Sequence, residues 1–160
     1  MSDVGYNFGK AFQKLQSVEA TSGSRQCRSQ VDFSFPESDF KQSAYPIHPA
    51  VFDGCMQSCA PGLWRGIKSS VNAVLVPAII DDVVVKTDTN LRETAISVSK
   101  TVFSGPGRKD LAKNHSSSAK VYDPSTGGLV FKLTGLHYHM LDFQDNPYAC
   151  LLYTSPSPRD

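Results

Sequence analysis

The chain has 160 residues, 40% of them hydrophobic and 19% charged, with nine Phe and six Tyr. That is enough for one ordinary domain with a real core, and it excludes a charge-rich disordered chain. A net charge of +1 without a dense Lys/Arg stripe argues against nucleic acid as a partner, and no apolar run reaches the ~20 residues of a bilayer span; with four sparse cysteines and no CxxC pair, a soluble cytoplasmic protein with reduced thiols is expected.

In chain order, Phe8, Phe12 and Leu15 fall at spacings of four and three, which predicts a short amphipathic helix or helical turn between Tyr6 and Leu15. The stretch SVEATSGSRQCRSQVDFSF reads as one or two strands with a Ser/Gly break around Thr21 to Ser24, followed by the loop PESDFKQSAYPIHP. Pro49 suits the first turn of a central helix, because it lacks the N–H that a helix start leaves unpaired. Pro61 and Gly62 then end or kink that helix. Beyond it, VNAVLVPAIIDDVVVK predicts a buried strand pair, or one bent strand around Pro77. RETAISVSKTVFSG alternates in polarity, and SSAKVYDPSTGGLVFKLTGLHYHML is a hairpin closed by the turn cluster DPSTGG. One helix with several long strands and short turns implies an α+β domain whose sheet buries one face on the helix, although periodicity does not choose among helix-on-sheet architectures.

Several features read as structure rather than chemistry. Cys55 and Cys59 share a helix face but have no further Cys or His nearby to complete a metal site, so they are expected to be core thiols. His137 and His139 share a strand face without a third ligand, and His115 reads as loop. SGPGRKD sits between strands and predicts a hairpin turn rather than a phosphate cradle, while Arg65 and Lys68 read as surface cations. The tail from Cys150 to Asp160, CLLYTSPSPRD, resembles a translated sequencing-library adapter and is expected to pack against nothing, leaving residues 1–149 as the folded unit.

The segment YPIHPAVFDGCMQS resembles the motif of polyketide synthase dehydratases, in which a His-Pro pair precedes a catalytic Asp and a Gln or His follows four residues later; here these are His48, Pro49, Asp53 and Gln57. GYNFGKAFQ is similar to the family's Gly-x-x-Tyr-Gly-Pro-x-Phe-Gln segment, with Phe8 in the Tyr position and Lys10 in the Pro position. LVPAIIDDVVV and the last hairpin resemble the strands that follow the family's central helix. The resemblance implies a hotdog fold, an antiparallel sheet wrapped on a central helix. It further implies that the chain is the C-terminal half of a double hotdog from a fungal-type, highly reducing synthase. The family's N-terminal half supplies a catalytic His from H-x-x-x-G-x-x-x-x-P, and no His of this sequence satisfies that pattern.

The same resemblance implies a function. A histidine removes the α proton of a β-hydroxyacyl thioester and a carboxylic acid protonates the departing hydroxyl, so Asp53 is expected to be the acid, with Val51, Phe52 and Met56 as apolar walls. Gln57, one turn on, is placed to hydrogen-bond that carboxyl. Gly9 offers its backbone N–H to the thioester carbonyl, with Phe8, Phe12 and Pro77 as further substrate contacts. The substrate would ride on the phosphopantetheine of an acyl carrier protein, with no metal and no directly bound cofactor. The other partners implied are the N-terminal hotdog half and a second copy of the synthase, and the fragment alone is expected to be inactive. Two other readings stay open. One is a non-catalytic acyl-binding or scaffolding hotdog in which Asp53 is an ordinary helix-start residue. The other is a freestanding hydratase or thioesterase acting on coenzyme A esters.

Overall fold

The computed structural model describes residues 8–34, 45–67, 74–87, 93–103 and 115–141. The SGPGRKD segment, Lys68 and the Cys150–Asp160 tail lie outside the described residues. A 3-10 turn, Lys10–Phe12, leads into strands β1 (Leu15–Ala20) and β2 (Gln26–Asp32). Next come the helices α1 (Pro49–Gln57) and α2 (Ala60–Leu63), and then strands β3 (Val74–Val85), β4 (Thr94–Phe103), β5 (His115–Tyr122) and β6 (Leu129–Leu141). The strands form one six-stranded sheet in the order β1-β2-β4-β5-β6-β3, every neighbouring pair antiparallel. The helices lie across one face of this sheet, which is the hotdog arrangement.

Alternation explains which face is buried. Along β4, Ala95, Ser97, Ser99 and Thr101 point inward and are buried, while Val98 and Val102 point outward and are exposed. Val31, Val121, Phe131, Leu133 and Leu136 complete the core beneath α1, and Phe52 meets Phe131 edge to face at 5.6 Å. On β6, Gly135 has φ 66 and shifts the side-chain alternation, so that Leu133 and Leu136 are both buried although three residues apart. Asp81 of β3 lies against Gly135, and its carboxylate reaches Nε2 of His137 at 3.1 Å. His137 is thereby occupied on the strand surface. Among the described residues no group of three or more His, Cys, Asp or Glu is placed to hold a metal, and no helix is long and apolar enough to cross a membrane.

Of the two alternatives for the N-terminal stretch the described residues take the helical turn, a three-residue 3-10 turn, because Leu15 already begins β1. Two local expectations change. His115 is not loop: it opens β5, with its ring 4.8 Å from that of Phe103, and burial followed by the nearby Arg25 charge lowers its pKa. The Val/Ile-rich run takes the bent-strand alternative, with its irregularity between Pro77 and Ile79, but it is mostly exposed rather than buried, Leu75 being the one buried side chain among those described. It pairs with β6 alone and forms an edge, leaving Val76, Ile79 and Val84 exposed at 37%, 53% and 47%. Pro77, which has no N–H to offer a ladder, is tolerated at such an edge.

Candidate active site

The site is organised by the start of α1. His48 caps the helix, its Nδ1 accepting from the Ala50 N–H at 3.2 Å, and Pro49 fills the first helical position. The His-Pro pair thus fixes where the helix begins, and with it the direction in which Asp53 projects one turn later. Ala50, Val51, Gly54 and Cys55 are buried toward the sheet, while Asp53 and Gln57 emerge, half-buried, on a neighbouring stripe of the helix.

Asp53 and Gln57 line a cavity of about 750 Å³, within the size range of small-molecule sites. Gln57 Nε2 donates to Asp53 Oδ2 at 2.6 Å and to the Phe12 carbonyl at 3.0 Å. The expected contact between the two side chains is therefore made, and a second bond ties the amide to the 3-10 turn. One carboxylate oxygen is thus engaged within the protein, on a helix face that looks into the cavity. The rest of the wall is mainly apolar: Met56, Leu63, Trp64 and Ile67 come from the helical region, Leu75 and Tyr138 from β3 and β6.

Phe8 and Pro77 line the cavity together with Asp53 and Gln57. Gly9 and Phe12 are not among the lining residues; Phe12 is 42% exposed and contributes its carbonyl to Gln57 instead. Gly9 has φ −59, and a Cβ there would meet nothing within 4 Å, so neither backbone conformation nor crowding demands glycine at this position. Of the expected apolar neighbours of Asp53, Met56 lines the cavity, whereas Val51 and Phe52 pack into the core. Residues one or two apart on a helix face different directions, so closeness in sequence is a poor guide to sharing a wall. Trp64, Val18 and Tyr138 escape a sequence reading because they reach the cavity from elements far apart in the chain, and no local pattern marks them.

The three described cysteines are free and buried, Cys27 on β2 and Cys55 and Cys59 on the helical segment. Burial, reinforced by the neighbouring Cys59, pushes the Cys55 thiol far up, and burial with Cys27 nearby raises Cys59 to about 12. They are protonated core groups rather than nucleophiles.

Comparison with known proteins agrees with this geometry. The family described as "Polyketide synthase dehydratase N-terminal domain" matches residues 1–146. A highly reducing polyketide synthase of Eupenicillium brefeldianum is 45% identical over 148 residues, which is 92% of this chain and 6% of that protein. The highly reducing polyketide synthase claI of Penicillium crustosum is 33% identical over 155 residues, or 96% of this chain and 7% of that protein. The chain thus spans a small fraction of the curated relatives it matches. Among solved structures, the dehydratase domain from the CurJ module of curacin polyketide synthase aligns with a TM-score of 0.64 at 18% identity, over 88% of this chain and 45% of that one. GphF Dehydratase 1 aligns at 0.57 and 16% identity, over 84% and 46%. These likenesses establish the hotdog fold, and the family match establishes the lineage: this chain belongs to the polyketide synthase dehydratase family.

Proposed function

We propose that the chain is the half of a polyketide synthase dehydratase that supplies the acid for elimination of water from a β-hydroxyacyl thioester. The observation that carries this reading is the placement of Asp53 on the wall of a mainly apolar cavity, with Gln57 holding one of its oxygens at 2.6 Å. In the reaction, a base takes the α proton and its electron pair forms the Cα–Cβ double bond. The Cβ–O bond breaks, and the hydroxyl leaves as water with the proton of Asp53. An acid at this position must reach the departing hydroxyl, and the cavity wall sets Asp53 beside the space an acyl chain would fill. Elimination by an acid and a base requires no redox group.

The base is assigned to a histidine on a second hotdog half, since no described histidine lines the cavity: His48 caps α1, His115 lies tilted against Phe103, His137 holds Asp81 and His139 is exposed on β6. The matched family is described as the N-terminal domain. Assignment to the C-terminal half rests on the Asp53 motif and on the lack of H-x-x-x-G-x-x-x-x-P, and coverage of 45% of a solved dehydratase chain is consistent with one half of such a domain. The exposed apolar edge of β3 is a surface on which the other half could dock. The substrate is assigned to the phosphopantetheine arm of an acyl carrier protein within a synthase that works as a homodimer.

Replacing Asp53 by Asn in the intact synthase tests the assignment. Dehydration of a β-hydroxyacyl carrier substrate is expected to fall by about 10²–10⁴-fold with folding unchanged. Full activity in that variant would favour a non-catalytic acyl-binding module, for which the apolar cavity alone suffices.

A further inference from the structure

The core beneath α1 contains a seam of hydroxyls that apolar packing does not require. Pro61 has no N–H, so the helical ladder is interrupted at the end of α1, and the Gly62 N–H goes to the Cys59 carbonyl rather than to Ser58. The orphaned Ser58 carbonyl accepts from Ser99 Oγ at 2.8 Å and from Cys27 Sγ at 3.2 Å, and those two side chains lie 2.8 Å from each other. The Ser58 hydroxyl donates to the Cys55 carbonyl at 2.7 Å. With that proton committed, the 2.8 Å contact between Ser58 and Ser97 is made by Ser97 donating. Ser58, Ser97 and Ser99 are all buried.

The residue at the centre of this seam is adjacent to Gln57. Gly54, Ser58 and Gly62 recur every fourth residue on the face pressed to the sheet, and a Cβ on Gly54 would lie 2.7 Å from Lys14 Cβ, one on Gly62 2.7 Å from Thr101 Oγ1. Asp53, Gln57 and Pro61 form the parallel stripe, one residue earlier, that lines the cavity. Whatever fixes the depth and rotation of the first stripe therefore fixes the second. Apolar contacts are non-directional and leave a helix free to roll by a fraction of a turn, whereas hydrogen bonds to one carbonyl and one hydroxyl hold its rotation.

We propose that Ser99 and Ser97 are positioning residues of the dehydration site. Through Ser58 they set the rotation of α1 that brings Gln57 to the Phe12 carbonyl and turns Asp53 toward the substrate. This rests on the reading of Asp53 as the acid. A purely structural anchor and a positioning device both predict lost stability, so kinetics must separate them.

The test is a double-mutant cycle in the intact synthase, with Ser99→Ala and Asp53→Asn made singly and together. Each is assayed well below its unfolding temperature on a β-hydroxyacyl carrier substrate. Ser99→Ala is expected to lower kcat about tenfold with KM unchanged, as a small misplacement of the reacting group would. In the Asp53→Asn background it is expected to add little, because the group it positions is already lost. Val130→Ala, a buried β6 position that does not line the cavity, serves as the stability control and should keep kcat. Should Ser99→Ala not fold, Ser97→Ala gives the same reading, since it removes one bond and leaves the Ser58 hydroxyl its Cys55 partner. Unchanged kcat in a folded seam variant, or fully additive losses in the cycle, overturns the proposal while leaving the acid assignment intact. Undiminished dehydration by Asp53→Asn overturns both.

Discussion

Two stripes of one helical segment, a single residue out of step, live under opposite rules. Gly54, Ser58 and Gly62 face the sheet, where space is so tight that two of the three have no side chain and the third is bonded through its hydroxyl and its carbonyl. Asp53, Gln57 and Pro61 face a cavity, where side chains have room and a carboxyl and an amide are half-buried. The precision of a site on a short helix therefore comes from its back. α1 has only nine residues and little helical stability of its own, so tertiary contacts on the sheet-facing stripe must hold it in place.

Substitutions should accordingly separate into those that lower stability and those that lower activity. The largest stability loss is expected for Gly62→Val: its Cβ would lie 2.7 Å from Thr101 Oγ1 and 3.0 Å from the Arg25 carbonyl, part of a backbone that cannot swing aside. A loss of about 3 kcal/mol in chemical denaturation is expected, and an unchanged midpoint would show that the helix is not seated as tightly as described.

Alkaline pH should weaken the same face next. Burial first, then a neighbouring thiol, raises Cys55 and Cys59 above the ~8.5 of a free cysteine, so the unfolded chain gives up these protons before the folded one does. The stability contributed by the neutral thiols is complete below about pH 8.5 and is lost as pH rises toward the folded values. Urea midpoints at about pH 7 and about pH 10 should differ in that direction, and alkylation of these thiols should track unfolding. Rapid alkylation of the native protein would contradict the burial of this face.

Smaller effects distinguish individual side chains on the two stripes' surroundings. Ser29 Oγ is buried and has no hydrogen-bond partner among the described residues, unlike Ser97 opposite it in the sheet. Ser29→Ala is therefore expected to raise stability by up to about 1 kcal/mol, where Ser97→Ala lowers it. On the cavity side, Gln57→Ala should change stability by no more than about 0.5 kcal/mol while lowering dehydration, measured as thermal unfolding beside turnover.

How much can be read from the residues depends on how local each feature is. The Asp53–Gln57 contact is legible because two residues four apart on a helix must share a face, and the helix start is legible from His48 and Pro49. The β5–β6 hairpin is legible from its turn, where Asp123 accepts from Ser125 and Thr126 and Gly127 takes φ 69. The edge position of β3 is not, because a Val/Ile-rich run specifies a strand but not how many neighbours it has. The cavity wall is legible only in part: Trp64 and Tyr138 come to share a cavity with Asp53 only through the tertiary fold. Gly9 and Phe12 are close to Phe8 in sequence, yet Phe8 alone of the three lines the cavity.

A crystal structure of the intact dehydratase with a non-eliminating β-hydroxyacyl pantetheine analogue would put the role of Asp53 to the sharpest test. The acyl chain is expected in the cavity beside Met56 and Trp64, with the β-hydroxyl oxygen about 2.6–3.2 Å from the free carboxyl oxygen of Asp53. An analogue bound with its hydroxyl out of reach of Asp53, and with that carboxyl facing only Gln57 and water, would refute Asp53 as the acid.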